Sequence, residues 1–309
     1  MSGICTNMFP PKPTWTVDEM PDQSGKVMLV TGGNTGIGRE TAKALLAHNA
    51  KVYIAGRSLD KVQAAIAELQ AETGRAAHAL IVDLADLASI RAAAADFQTK
   101  ETQLHVLFNS AGVMYPDVAL VTRDGYDLQF GTNVLGHFYL TRQLMPLLLQ
   151  TASAAPTGTV RIVHTSSMGH LGADHIDYDT LVDGERRRKK GTMWLYSQSK
   201  FGNVVVSNEL HRMYADQGIV SIALHPGNLK TDLQRHVSKI ERCITNPLLY
   251  PAPMGALTQL YAGTMPQAAE WGGKYMIPWA RLGEAKKETN DPEIAKELWA
   301  WLESQVKGV

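Results

Sequence analysis

Lys26-Val-Met-Leu-Val-Thr31 runs directly into Thr31-Gly-Gly-Asn-Thr-Gly-Ile-Gly38, and from Gly36 to Ala50 apolar residues return at helical spacing. A run of buried-strand character, a glycine-rich turn and an amphipathic helix therefore follow one another without interruption. Glycines in such a turn permit a tight reversal. They also let backbone N–H groups approach a pyrophosphate held at the helix N-terminus.

The same alternation continues outward from this unit. Lys51 to Arg57 reads as a second strand, and Asp60 to Glu72 places Val62, Ile66 and Leu69 on one helical face. Further strands are predicted at 79–84, 105–109, 161–166, 220–225 and 274–277, with helices near 86–99, 125–150, 195–216 and 254–265. This pattern predicts a doubly wound, mainly parallel α/β sheet of the Rossmann-like kind, with about seven strands. It forms one domain over residues 25–309, preceded by an irregular Pro-rich arm at 1–24. Loops near 170–192 and 232–253 break the alternation and are placed to contact a substrate. The first carries the basic run Arg186-Arg187-Arg188-Lys189-Lys190, read as a solvated loop. A last helix near 292–307 carries Trp299, Trp301 and Leu302.

Composition narrows the function. The chain has 309 residues, 45% of them hydrophobic, with 30 Lys plus Arg against 30 Asp plus Glu. That is enough apolar material for a large core and excludes disorder as the main state. Zero net charge gives no field that favours nucleic acid or an anionic membrane. Cys5 and Cys243 have neither metal spacing nor a disulfide framework, which suits a reducing, cytoplasmic setting. The N-terminus lacks the pattern of a signal peptide, and runs such as Leu144 to Leu149 are too short for a transmembrane anchor.

The end of the second strand is where a ribose selector belongs, and here it reads Ala55-Gly56-Arg57-Ser58 with no carboxylate before Asp60. Arg57 offers a fork of donors suited to a 2′-phosphate, so NADP(H) is expected in preference to NAD(H). Tyr196-Ser-Gln-Ser-Lys200 puts a phenol and an ammonium group on one helical face. A neighbouring positive charge lowers a phenol's pKa, making Tyr196 a usable general acid or base. His170 and His175 lie near the expected mouth but form no metal triad, and no metal is expected.

Together these residues resemble the short-chain dehydrogenase/reductase family over about residues 25–280. The turn has the family's TGxxxGxG form, with Thr31, Gly32, Gly36 and Gly38 in register. Asp83-Leu84 matches the acidic residue that meets the adenine amine, and Asn109-Ser-Ala-Gly112 the NNAG motif, with Ser110 in the second position. Asn133, Ser167, Tyr196 and Lys200 fall where the catalytic tetrad does, Ser166 being the rival serine. Pro226-Gly-Asn-Leu-Lys-Thr231 is similar to the PGxxxT segment that contacts the nicotinamide. The resemblance thus implies a cofactor site of Gly32, Asn34, Thr35, Gly36, Ile37, Gly38, Arg57, Asp83, Leu84, Asn109, Ala111, Gly112, Tyr196, Lys200, Pro226, Gly227, Leu229 and Thr231.

It implies carbonyl–alcohol interconversion: Ser167 and Tyr196 hold the oxygen, Tyr196 exchanges the proton, Lys200 lowers its pKa, and Asn133 holds a water that links Lys200 to solvent. The stretches TGGNTGIGRETAKALL, VYIAGR and PMGALTQLYAG are similar to a retinol-dehydrogenase-like branch, here without the branch's N-terminal anchor. Met114, Tyr115, Met168, Leu171 and Trp194 are candidates for an apolar pocket, which suits a bulky apolar carbonyl or alcohol. A homo-oligomer is compatible with the family. Two other readings stay open: an epimerase or dehydratase of the same superfamily, whose usual TGxxGxxG turn is absent, and a nucleotide-binding regulator without turnover.

Overall fold

Met28 and Val30 point to one side of the first strand and Val27 and Leu29 to the other, and all four are buried. A strand apolar on both faces must lie inside a sheet covered on both sides. The computed structural model, which describes residues 6–230 and 249–309, places it there. The strands are β1 (Val27–Thr31), β2 (Lys51–Gly56), β3 (His78–Ile81), β4 (Val106–Asn109), β5 (Val160–Thr165), β6 (Ile219–Leu224), β7 (Tyr275–Ile277) and β8 (Arg281–Gly283). Their order across the sheet is β8-β7-β6-β5-β4-β1-β2-β3. β1 pairs with β2 on one side (Val30 against Ile54) and with β4 on the other (Val30 against Phe108). The chain therefore reverses its direction of winding between β1 and β4, and a crevice opens beyond their C-terminal ends.

The expected parallel sheet is thus present, with one addition: β8 runs antiparallel to β7. At three residues, β8 is too short to leave a periodic signal. Helices α1 (Gly36–Ala47), α2 (Leu59–Thr73) and α6 (Ala252–Thr264) share one core, represented by Leu45, Val62 and Leu260. On the other face lie α3 (Leu87–Lys100), α4 (His137–Ala154), α5 (Glu185–Tyr214) and α7 (Pro292–Val306), with Phe97, Leu144, Phe201 and Leu298 in a second core. The N-terminal arm is docked: Trp15 and Met20 are buried, and Trp15 meets Tyr261 edge-on at 5.4 Å.

α5 departs from expectation. It begins ten residues before 195, at Glu185, and bends at Gly191, whose φ of 78° interrupts the helix. The basic run is helical and not a loop, although four of its five side chains stay exposed as expected, Arg187 being the exception. Arg187 has no exposed surface and pairs with Asp127 (3.1 Å) and Asp183 (2.9 Å). Its neighbours are paired as well: Arg186 with Asp177, Arg188 with Asp183, and Lys189 with Glu185. Lys190 lies over the Trp194 ring at 4.3 Å. Local acidic partners absorb the run's charge.

His137, His164 and His225 are among the histidines buried to 2% exposure or less. Burial holds them well below the ordinary imidazole range, at about 4, about 3 and about 3 respectively. A histidine depressed in the folded state is neutral there while its unfolded counterpart takes up a proton below its ordinary pKa of about 6.5. Its stabilising contribution is present above that pH and drains away as pH falls toward the folded pKa. Replacing His164 by Leu should accordingly flatten the fall in stability between pH 6 and 4, by about 1.4 kcal/mol per pH unit. Urea unfolding of both proteins across that range checks this; parallel pH profiles would refute it.

Candidate active site

The turn after β1 requires its glycines. Gly32 and Gly36 have φ of 67° and 54°, and a Cβ on Gly38 would stand 2.4 Å from the Gly32 carbonyl oxygen. Only glycine lets α1 start so close beneath the turn. Thr35 is the N-cap of α1 in extended conformation, and Ile37 faces Gly255 of α6. Asn34 lies over Gly56 at the end of β2, its Oδ1 2.8 Å from where a Gly56 Cβ would stand. Arg57 follows immediately. It is exposed, and its guanidinium makes no ion pair with any described residue.

The turn after β4 is tied to the first by one hydroxyl that the sequence reading used only as a motif letter. Thr31 Oγ1 accepts from the N–H groups of Ser110 (2.9 Å) and Ala111 (3.0 Å). It also lies 2.9 Å from His137 Nε2. His137 Nδ1 donates to the Asn133 carbonyl, so Nε2 is an acceptor that competes with the Phe108 carbonyl (3.2 Å) for the single Thr31 hydroxyl proton. Asn109 donates to Thr141, while its Oδ1 is buried without a partner among the described residues. Gly112 sits in the crevice: a Cβ there would lie 3.2 Å from Asn133 Oδ1 and 3.7 Å from Lys200 Nζ. At the end of β3, the Asp83 carboxylate accepts from Ala85 N–H at 2.9 Å, and Leu84 is buried.

Asn133 lies on a single π turn, Gly131–Gly136, that leads into α4; such turns often mark functional positions. Its side chain accepts from Val113 N–H (2.9 Å) and donates to the Val113 carbonyl and the Ser199 hydroxyl (3.0 Å each). Its carbonyl accepts from Asn203 and His137. Val113 and Ser199 hold the Asn133 side chain, and one lone pair of its Oδ1 takes no bond from a described residue. Asn133 pins the 110–115 turn to α5.

Ser167, Tyr196 and Lys200 come together beyond β5. Ser167 opens a short 3₁₀ turn, Met168–Gly172, and accepts from Gly169 N–H at 3.1 Å. The Tyr196 phenol lies near enough for this hydroxyl to counter part of the rise in its pKa. The rival Ser166 is instead committed to the Lys200 carbonyl at 2.7 Å. Lys200 Nζ donates to the Thr165 carbonyl at 2.9 Å and lies 5.7 Å from the Tyr196 ring centre. Burial lowers Lys200 to about 8.

The Tyr196 phenol moves in the opposite direction to the one expected. Burial pushes it up, the nearby Ser167 hydroxyl opposes that rise, and Tyr115 adds to it. Desolvation outweighs the lysine because the phenol is 5% exposed and the ammonium group is turned to Thr165. Tyr196 is thus held as a neutral phenol.

Among the pocket candidates, Tyr115 meets Tyr196 edge-on at 5.2 Å and has a φ of 53°, unusual for a tyrosine. Gln129, which sequence reasoning missed, holds it there: Oε1 accepts from Tyr115 N–H and Nε2 donates to the Thr192 carbonyl, both at 2.9 Å. Trp194 is occupied by Lys190 and His175. Pro226 is buried, Gly227 has a φ of 102° beside Trp279, and Leu229 pairs with Tyr250. Thr231 and most of the 232–253 loop lie outside the described residues. Among the described residues, no helix is long and apolar enough to cross a membrane.

Similarity to known proteins agrees with this geometry. A sequence model described as short chain dehydrogenase matches residues 26–175. A short-chain dehydrogenase/reductase of Armillaria gallica is 53% identical over 306 residues, 99% of this chain and 98% of the relative. Among solved structures, a putative uncharacterized protein from Mycobacterium paratuberculosis superposes with a TM-score of 0.72 at 30% identity, covering 95% of this chain and 97% of that one. A Burkholderia cenocepacia short chain dehydrogenase in complex with NADP does so with 0.63 at 25%, covering 84% and 98%.

Proposed function

The chain belongs to the short-chain dehydrogenase/reductase family of oxidoreductases, and on that premise we propose that it reduces a bulky apolar ketone or aldehyde with NADPH, Tyr196 donating the proton. The observation that carries this reading is the buried Tyr196 phenol beside the half-buried Ser167 hydroxyl, with the buried Lys200 one helical turn on. The glycine turn, Gly112 beside Lys200 and the unpaired Arg57 fit a dinucleotide laid across the ends of β1, β4 and β2. Gly32, Asn34, Thr35, Gly36, Ile37 and Gly38 would hold its pyrophosphate side, Asp83 and Leu84 its adenine, and Asn109, Ala111 and Gly112 its middle. Pro226, Gly227, Leu229 and Thr231 would hold the nicotinamide end. When bound, the nucleotide supplies the hydride; the chain supplies position and the proton.

In this scheme the carbonyl oxygen accepts hydrogen bonds from Ser167 and Tyr196. Negative charge gathering on that oxygen draws the proton from Tyr196. A phenol kept neutral by burial suits the reducing direction. Lys200, lowered to about 8, is poised to return a proton near neutral pH. Tyr115, set edge-on against the phenol, supports an apolar wall and therefore a bulky apolar substrate. Residues 25–309 are taken as one catalytic unit, with the loops near 170–192 and 232–253 around the substrate. The retinol-dehydrogenase-like branch and a cytoplasmic setting remain part of the same reading.

NADPH and NADH titrations of the wild type and Arg57→Ala test the cofactor assignment. A hydrogen bond to a charged group is worth about 1.5–3 kcal/mol, so the variant should lose NADPH affinity by tenfold or more. NADH affinity should stay as it was. Equal affinities of the wild type for the two nucleotides, or an equal loss for both, would remove Arg57 from this part. NADPH oxidation with a panel of apolar aromatic ketones then tests the reaction.

A further inference from the structure

Behind Ser167 lies a buried polar cluster that neither the nucleotide nor the carbonyl would touch. His170, 2% exposed, donates from Nδ1 to the main-chain carbonyl of Ser167 at 2.6 Å. A carbonyl cannot donate, so Nδ1 carries the proton and Nε2 is left as an acceptor. Nε2 is filled by the backbone N–H of Lys286 at 3.0 Å. An amide from the far end of the chain thus supports the tautomer that grips the serine. The Tyr275 hydroxyl donates to the same Ser167 carbonyl at 3.3 Å, with its ring 4.8 Å from the imidazole. Lys286 Nζ adds a bond to the Leu171 carbonyl at 3.2 Å.

We propose that His170, seconded by Tyr275, is a positioning residue that sets the catalytic hydroxyl pair, a step that rests on the reading of Ser167 and Tyr196 given above. The geometry transmits any displacement. Ser167 is the cap of the 3₁₀ turn, and the turn rests on the acid itself: a Cβ at Gly169 would lie 3.1 Å from Tyr196 Cε1. Loosening the Ser167 carbonyl shifts one hydroxyl of the pair and the surface against which the other is packed.

The competing view is that His170 merely anchors the segment around Lys286, and two substitutions separate the alternatives. Asn at 170 keeps a donor where Nδ1 stands and loses the acceptor for Lys286. Gln extends an acceptor toward Lys286 and loses the donor to Ser167. With NADPH and the aromatic ketone of the panel reduced fastest, His170→Gln should lower kcat about ten- to a hundredfold, the cost of a misplaced reacting group. NADPH affinity should not move. Hydrogen exchange of the 167–172 amides, measured without nucleotide, should accelerate in His170→Gln. His170→Asn should stay near the wild type in both readouts.

The reverse order, or two variants alike in kcat and in exchange, would overturn the assignment. If both His170 variants melt early, Tyr275→Phe decides, since it keeps the ring and deletes only the donor. A lower kcat at an unchanged melting temperature supports the clamp; an unchanged kcat overturns it. An undiminished Ser167→Ala enzyme would overturn the reading of the site and the proposal with it. An inactive Ser167→Ala beside a fully active His170→Gln would overturn the proposal alone.

Discussion

Tyr196→Phe is expected to lower kcat for ketone reduction by about 10²- to 10⁴-fold, the range that a positioned general acid supplies. NADPH binding should survive. The substitution removes one oxygen from a residue that is 5% exposed, and the phenylalanine ring keeps its edge-to-face contact with Tyr115. Ser167 keeps its bond from Gly169 N–H, so the 3₁₀ turn stays closed. The loss should therefore appear in kcat, with melting temperature and nucleotide affinity close to wild type. Loss of NADPH absorbance gives the rate, and a fluorescence titration gives the affinity. Undiminished turnover would take the proton-donor part away from Tyr196. Tight NADPH binding by a wild type that turns over nothing would favour the regulator reading.

Arg187→Leu is expected to destabilise the fold by about 3–5 kcal/mol, as removing one partner of a buried ion pair does. Arg187 has no exposed surface, and Asp127 opposite is itself buried. Burial already holds the Asp127 carboxyl above its usual range, against the pull of Arg187 and two backbone N–H groups. Without the guanidinium the carboxylate must be neutralised or left alone in the protein interior. The damage should reach the site. Asp127 caps the N–H groups of Gln129 and Phe130 at 3.0 and 2.9 Å, and Gln129 holds Tyr115. A lower urea midpoint together with weaker ketone turnover is the expected pair of results. Arg188→Leu serves as the control, because that exposed pair should contribute no more than about 1 kcal/mol. Equal losses in the two variants would contradict the buried-pair account.

What could be read in advance was what lies close together along the chain. The runs that became β1, β2, β4, β5 and β6 are buried on both faces, and such strands look continuously apolar. The glycines at 32, 36 and 38 and the Tyr196–Lys200 spacing are equally local. Contacts across long separations were not legible. Arg187 finds Asp127 60 positions away, so its burial among four exposed cations was not legible, although Asp183 at four positions was a visible hint. His170 meets Lys286 116 positions on. The direction of the Tyr196 shift could not be read from spacing, because it depends on how dry the helix face is. Adjacent charge alone suggested the wrong sign.

The sheet also fixes when, during synthesis, catalysis becomes attainable. The turns assigned above to the nucleotide end β1, β2 and β4, all within the first 112 residues, and the proposed catalytic residues are complete by Lys200. Tyr275 and Lys286, which brace Ser167, emerge only after β6 and α6. A chain growing from its N-terminus acquires the parts that hold a nucleotide well before those that hold the serine still. Premature termination after α6 would therefore strip not only the contacts that brace Ser167 but also β7 and the Leu298 and Leu302 side chains of the second core, so the end of the chain serves the serine and the fold together.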